Sequence, residues 1–196
     1  KLYTLTLHGF PLNYRTALQL APLLAERAGA LEARIVADEF SSRRPDDELV
    51  RDFHRSLCGD LVPDWAGRWR DLAVTVGEHL PPPPHEVPLL MRVYGDDLAA
   101  RWEDVSTRND ERLLEMLAFA EGWLLSIHPF RDFNGRVTRV FLRELLRRLG
   151  IPALSLAPTE PPARLAYLAA LSASDKRDFR PLIDIWKSRL ESVSPD

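Results

Sequence analysis

The sequence of 196 residues contains a single cysteine, Cys58. One thiol makes neither an internal disulfide nor a cysteine-rich zinc site, and a reducing compartment is the simplest setting for it. Cys58 falls at or just past the end of a helix-like run, where it reads as a small buried apolar residue rather than a reactive thiol. Long apolar runs are also missing: none approaches the roughly 18 residues that cross a bilayer. Lys1 opens no signal-peptide pattern. The expectation is a cytoplasmic protein with no membrane partner. Excess positive charge is absent as well, the formal net charge being -3. That argues against a domain built to bind nucleic acid, and no direct nucleic-acid binding is expected. There is no internal repeat and no long low-complexity segment. What remains is 45% apolar and 28% charged, the balance of a globular chain long enough to bury a core.

Along the chain the patterns are mainly helical. Leu2 to Leu7 alternates and reads as a short strand. Tyr14 to Ala37 has helical spacing, with Pro22 and Gly29 expected to interrupt it or to mark helix ends. Asp46 and Asp47 open a helix whose inner face is Leu49, Phe53 and Leu57. Leu72 to Val76 (LAVTV) reads as a short strand ended by Gly77. Four prolines, Pro81 to Pro84, must be extended. They fit a linker between two domains or a rigid surface loop in one; each half would be small for a core, which favours the loop. Helices follow over Val87 to Leu98, from a cap at Asn109 or Asp110 to Ile127, over Asn134 to Leu149, over Ala163 to Leu171 and over Phe179 to Val193. The second of these is apolar on several faces and should lie centrally.

Between the two strongest helices stands His128-Pro-Phe-Arg-Asp-Phe-Asn-Gly-Arg-Val-Thr-Arg139. His128 is a natural proton acceptor near neutral pH, and Pro129 fixes the backbone beside it. Taken alone, a core histidine held by a hydrogen bond is the better reading. Asp132 can hold Mg²⁺ if phosphates supply further ligands, or it can simply cap a helix. Asn134 and Gly135 open a helix, where free N–H groups favour an anion and glycine lets a phosphate approach. The lysine and spacing of a P-loop are missing. Arg136 and Arg139 project from one side of the first turn, and their guanidinium forks match phosphate oxygens. Arg143 and Arg147 continue the stripe and read as a solvated basic face. A base, a metal ligand, an anion-binding helix end and two arginines within one loop suit attack of a hydroxyl on a phosphate.

In HPFRDFNGRVTR the sequence resembles the Fic (Fic/Doc) family, whose signature is His-Pro-Phe-x-(Asp/Glu)-Gly-Asn-Gly-Arg-x-x-Arg; eight of the nine specified positions match. The likeness extends to Asp46–Leu57 with its FHRSL, to DWAGRWR at Asp64–Arg70, and through LAVTV and the proline run to HEVPLLM. It spans about residues 45–150. The resemblance implies a mainly α fold, a Fic-type helical bundle with a short β-hairpin flap. Residues 45–196 would be that domain with its C-terminal helices, and 1–44 a helical N-terminal segment, separate or part of it.

The same resemblance implies a protein adenylyltransferase that moves AMP from ATP to a Ser, Thr or Tyr hydroxyl of a target protein and releases pyrophosphate, with ATP and Mg²⁺ as cofactors. His128 would be the catalytic base and Asp132 the metal ligand. Phe130, Asn134, Gly135, Arg136 and Arg139 would bind the nucleotide, Arg139 at the γ-phosphate. Leu72, Ala73, Val74, Thr75 and Val76 would form the flap that pairs with an extended target segment, or else an ordinary hairpin strand. Gly135 stands where Doc-like kinases carry lysine, which favours nucleotide over phosphate transfer. One position departs: Phe133 replaces the signature's first glycine, where a side chain either crowds the phosphates and forbids a positive φ or turns away and packs. The family's inhibitory (Ser/Thr)-x-x-x-Glu-(Gly/Asn) helix has no full match. Thr107–Arg112 has the spacing but ends in arginine, and a capping box is the simpler account. Inhibition would then come from another chain, as in toxin–antitoxin pairs, from a homo-oligomer, or not at all. Two alternatives stand beside this reading: a transferase on the same scaffold with another donor, and an inactive Fic fold that only binds or regulates.

Overall fold

The computed structural model describes residues 14–105 and 110–193. The expected strand at Leu2–Leu7, the Asn109 cap and the first half of Thr107–Arg112 lie outside them. Among the described residues there are seven helices: α1 (Tyr14–Val36), α2 (Asp47–Cys58), α3 (Val87–Val105), α4 (Asp110–Ile127), α5 (Asn134–Arg148), α6 (Ala163–Ser174) and α7 (Arg180–Glu191). Helix α4 touches α3, α5, α6 and α7, while α1, α2 and α5 pack on one another. That is why α4 is apolar on several faces: Met116, Leu117, Phe119, Ala120, Leu124 and Ile127 are all buried. A Cβ on Gly122 would come within 2.6 Å of the Ser174 hydroxyl, so glycine there lets α6 lie against α4. Glu121, buried on α4, accepts from Arg189 of α7 at 2.7 Å and from the Tyr167 hydroxyl of α6 at 2.7 Å, fixing both helices to the centre. Among the described residues no helix is long and apolar enough to cross a membrane.

Local sequence explains the ends. The Asp46 side chain caps α2, accepting from the Leu49 N–H at 3.2 Å, and Leu49, Phe53 and Leu57 are wholly buried. Gly150 follows α5 with φ +69. Cys58, the last residue of α2, is fully buried, and burial pushes its thiol up to about 12. That is the bland, unreactive role.

Two expectations fail. Pro22 and Gly29 do not interrupt α1, which runs through both. Both are exposed, while Leu24, Leu31 and Ile35 anchor the opposite face, so water can replace the bond that Pro22 forgoes. Leu72–Val76 is not a strand. Only Val76 pairs, with His79, through two N–H···O bonds of 3.0 Å around the turn at Gly77–Glu78. The returning arm enters Pro81–Pro84, whose nitrogens carry no hydrogen, so a longer ladder has no donors. The flap is a hairpin reduced to its tip. Helix α3 also runs further than Leu98, to Val105.

Candidate active site

The loop between α4 and α5 is built by two breaks in helical geometry. Pro129 disfavours a helical residue before it, and His128 leaves α4 with φ +49 while its N–H still reaches the Leu124 carbonyl at 3.1 Å. The His128 Nδ1 lies 3.3 Å from the Leu125 carbonyl. A carbonyl only accepts, so Nδ1 carries the hydrogen and Nε2 presents a lone pair. Burial is the main reason that the ring's pKa falls to about 4; Arg70 and His79 push the same way, and the Leu125 carbonyl opposes them. His128 is therefore neutral and able to take a proton at pH 7.

The second break is Phe133, at φ +63 and ψ 11. It keeps the left-handed backbone that suits glycine and turns its side chain away. The ring stacks on Trp65 at 5.8 Å and sits in a cluster with Leu24, Cys58 and Ala66. It is only 9% exposed, so it does not narrow the space in front of the α5 N-terminus. Left-handed backbone costs roughly 1–2 kcal/mol for a side-chain-bearing residue, which burial of an aromatic ring offsets.

Asn134 closes the loop. Its Oδ1 accepts from the Phe130 N–H and its Nδ2 donates to the Phe130 carbonyl, both at 2.9 Å. The hydrogen-bonded turn of α5 begins with the N–H groups of Arg136 and Val137 on the Phe133 carbonyl. The N–H groups of Asn134 and Gly135 precede it and are open to an anion. A Cβ on Gly135 would stand 3.4 Å from Arg139 Nη1, an ordinary contact distance. Phe130 is wholly buried, its ring stacked on His54 at 3.8 Å. The ring holds the loop from behind.

Asp132 is 6% exposed. Its Oδ1 accepts from the Phe133 N–H at 2.6 Å, while Oδ2 is buried without a hydrogen-bond partner. Burial raises its pKa, against the Phe133 N–H and Arg136. An orphaned carboxylate oxygen beside an anion site fits a hard cation that draws its other ligands from phosphates and water. No group of three or more potential metal ligands exists among the described residues, so the protein alone makes no closed metal cage.

Arg136 and Arg139 have no hydrogen bond or ion pair among the described residues. Burial lowers the pKa of Arg139; Tyr167 and Glu121 resist this, and Arg136 and Arg143 add to it. Arg143 and Arg147, expected as a solvated face, are instead paired: Arg143 with Glu32 at 2.8 Å, and Arg147 with Asp38 and with Glu144. His128, Asp132, Asn134, Gly135, Arg136 and Arg139 thus share one loop and the first two turns of one helix, whereas Leu72–Val76 belong to a separate segment.

Two residues that the sequence offered without a role stand behind the loop. His54 Nδ1 accepts from the Gly67 N–H at 2.9 Å, and its Nε2 lies 3.1 Å from the Asp132 carbonyl. Burial, chiefly, lowers this ring to about 4. Buried Arg70 binds the backbone of the His128 turn. Both lie within FHRSL and DWAGRWR, but their partners are 78 and 58 positions away, so nothing local announces them.

The model for the "Fic/DOC family" matches residues 44–146. Protein adenylyltransferase Fic of Drosophila grimshawi is 31% identical over 134 residues, which are 68% of this chain and 26% of that protein. The protein of the same name from Nematostella vectensis is 30% identical over 137 residues, 70% of this chain and 30% of the relative. The chain therefore matches about a quarter to a third of the length of these curated relatives. Among solved structures, Fic-1 (residues 134–508) from C. elegans superposes with a TM-score of 0.67 at 25% identity, covering 85% of this chain and 47% of that one. BepC from Bartonella tribocorum, solved with bound AMPPNP, shares the fold at a TM-score of 0.60 and 18% identity, with 85% of each chain covered. With the family model matched across the loop, the flap and the helices around them, the chain belongs to the Fic/DOC family.

Proposed function

We propose that this chain transfers AMP from ATP to a hydroxyl side chain, Ser, Thr or Tyr, of a target protein. The observation that carries the reading is the open lone pair of neutral, half-buried His128 next to two helix-start N–H groups and to Arg136 and Arg139, which form no ion pair among the described residues. Curated relatives named protein adenylyltransferase support the choice of nucleotide transfer.

In the proposed step, Nε2 of His128 takes the proton of the target hydroxyl. The oxygen forms a bond to the α-phosphorus, the bond from that phosphorus to the bridging oxygen breaks, and pyrophosphate leaves with the electron pair. The Asn134 and Gly135 N–H groups face the charge that grows on the transferred phosphoryl, and Arg136 and Arg139 hold the phosphates beyond it. Mg²⁺ on Oδ2 of Asp132 would neutralise phosphate charge. Asn134 and Phe130 keep the loop in shape, and Leu72–Val76 offer backbone to an extended target segment. Phe133 lies out of the way of the phosphates, and the names of the curated relatives support ATP as the donor. The protein would act in the cytoplasm, with inhibition supplied by another chain or a homo-oligomer, or with none.

The test is mass spectrometry of proteins in a cell lysate after incubation with the chain, ATP and Mg²⁺, beside His128→Ala. A gain of one AMP on a protein, lost with the variant, is expected. Adducts from another nucleotide and none from ATP would refute the choice of donor, and an undiminished AMP adduct with His128→Ala would refute the base.

A further inference from the structure

Arg70 is 2% exposed, and every acceptor of its guanidinium is a carbonyl. Nε donates to His128 at 2.8 Å, Nη1 to Leu72 at 3.1 Å, and Nη2 to Pro82 at 2.6 Å and Ile127 at 3.3 Å. Its own N–H donates to the Pro129 carbonyl at 2.8 Å. A buried cation without a carboxylate is costly, and a planar fork with five N–H groups is the side chain that can satisfy so many carbonyls at once. Two of the acceptors, Ile127 and His128, end α4 at the base. The other two, Leu72 and Pro82, lie on the arms either side of the flap's turn at Gly77–Glu78.

The flap needs such an outside anchor. Its own ladder is one bridge, and its returning arm is proline. A second anchor holds the tip: His79 Nε2 lies 2.8 Å from the Ser126 carbonyl, its Nδ1 is 3.2 Å from Asp175, and Asp175 accepts from the Ser126 hydroxyl at 2.7 Å. Both anchors end on the last turn of α4, the turn that presents His128.

We propose that Arg70 is a positioning residue for the protein target: it joins both arms of the flap to the His128 backbone and so sets where a segment lying on the flap places its hydroxyl relative to Nε2. This rests on the transferase reading. Arg70 need not touch substrate. Its effect falls on the target rather than on the nucleotide, because the α5 N-terminus and Asp132 are held by other contacts, those of Asn134 and His54.

The test is Arg70→Lys, which keeps the charge and loses the fork, with the target found by the lysate experiment. Expected is a fall of about ten- to a hundredfold in kcat/KM for the target. ATP affinity by calorimetry should be unchanged. Hydrogen exchange at the bridge amides of Val76 and His79 should quicken about tenfold while α4 and α5 stay protected. Wild-type kinetics and wild-type exchange in the variant would overturn the proposal. So would equal losses for ATP and target with exchange quickened throughout, which would make Arg70 a support of the fold alone. If the wild-type chain modifies no protein, the transferase reading fails, and the exchange at Val76 and His79 still decides whether Arg70 holds the flap.

Discussion

Helix α5 carries basic residues along its whole length, and its two ends treat them differently. At the C-terminal end Arg143, Arg147 and Arg148 are paired with Glu32, Asp38 and Glu144, and Arg148 also donates to the carbonyls of Phe40 and Arg43. At the N-terminal end Arg136 and Arg139 form no ion pair among the described residues, although Glu121 and Asp132 act on them from further off, and burial works against the charge of Arg139. The paired end ties α5 to α1 and the segment after it. The unpaired end tolerates like charges side by side, in front of N–H groups that also lack partners. Positive charge left uncompensated where a fold has acids at hand elsewhere marks the place that awaits an anion.

The contrast can be broken at several points. The largest effect is expected for His128→Ala: transfer falls by about 10²–10⁴-fold, with ATP affinity kept, as read by adduct formation and calorimetry. Retained transfer would remove the base from the unpaired end. Phe133→Gly should cost about 2–3 kcal/mol in urea unfolding, the lost packing on Trp65 outweighing the relieved backbone, with transfer preserved. A gain in stability would mean that the ring is not holding the loop. Arg139→Ala should weaken ATP by about 1.5–3 kcal/mol and ADP by less, without loss of stability; equal weakening by calorimetry would remove the γ-phosphate from its reach.

Two desolvated histidines, buried His54 and half-buried His128, set a pH dependence. Both His54 and His128 are held at about 4 when folded, below the ordinary 6.5, so the unfolded chain binds protons first. Their stabilisation is complete above pH 6.5 and is lost as pH falls toward 4. Between pH 7 and 5 each ring should contribute about 1–2 kcal/mol to the fall in unfolding free energy, and His128→Ala should remove its share. An unchanged slope in that variant would contradict the burial of its charge. The smallest effect belongs to the paired end: Arg143→Ala should lower stability by about 0.2–1 kcal/mol and leave ATP affinity untouched. If it weakened ATP as Arg139→Ala does, the two ends of α5 would not differ in kind.

Much of this was legible in one dimension. The helix from the 110 region to Ile127, the helix from Asn134 and the loop between them follow from apolar spacing, Pro129 and the polar helix start. The loop's chemistry could be listed because its residues are contiguous. Three features were not legible. Pro22 and Gly29 look like breaks, yet they sit on the exposed side of α1, which the packing of Leu24, Leu31 and Ile35 holds together. LAVTV looks like a strand, but β structure needs a partner, and its partner is a run of prolines. Phe133 looks like a threat to the loop, and which way it turns depends on Leu24 of α1 and Trp65 of the segment after α2.

By itself, then, the sequence determined the family, the helical fold and the composition of the candidate catalytic loop, because periodicity, helix ends and a contiguous signature are local properties. Tertiary structure alone decided which arginines are free, where Phe133 points, which oxygen of Asp132 is left without a partner, and that Arg70 and His54 stand behind the loop. Those are matters of pairing and burial between segments tens of residues apart, and no local pattern encodes which buried charge will find its counterpart.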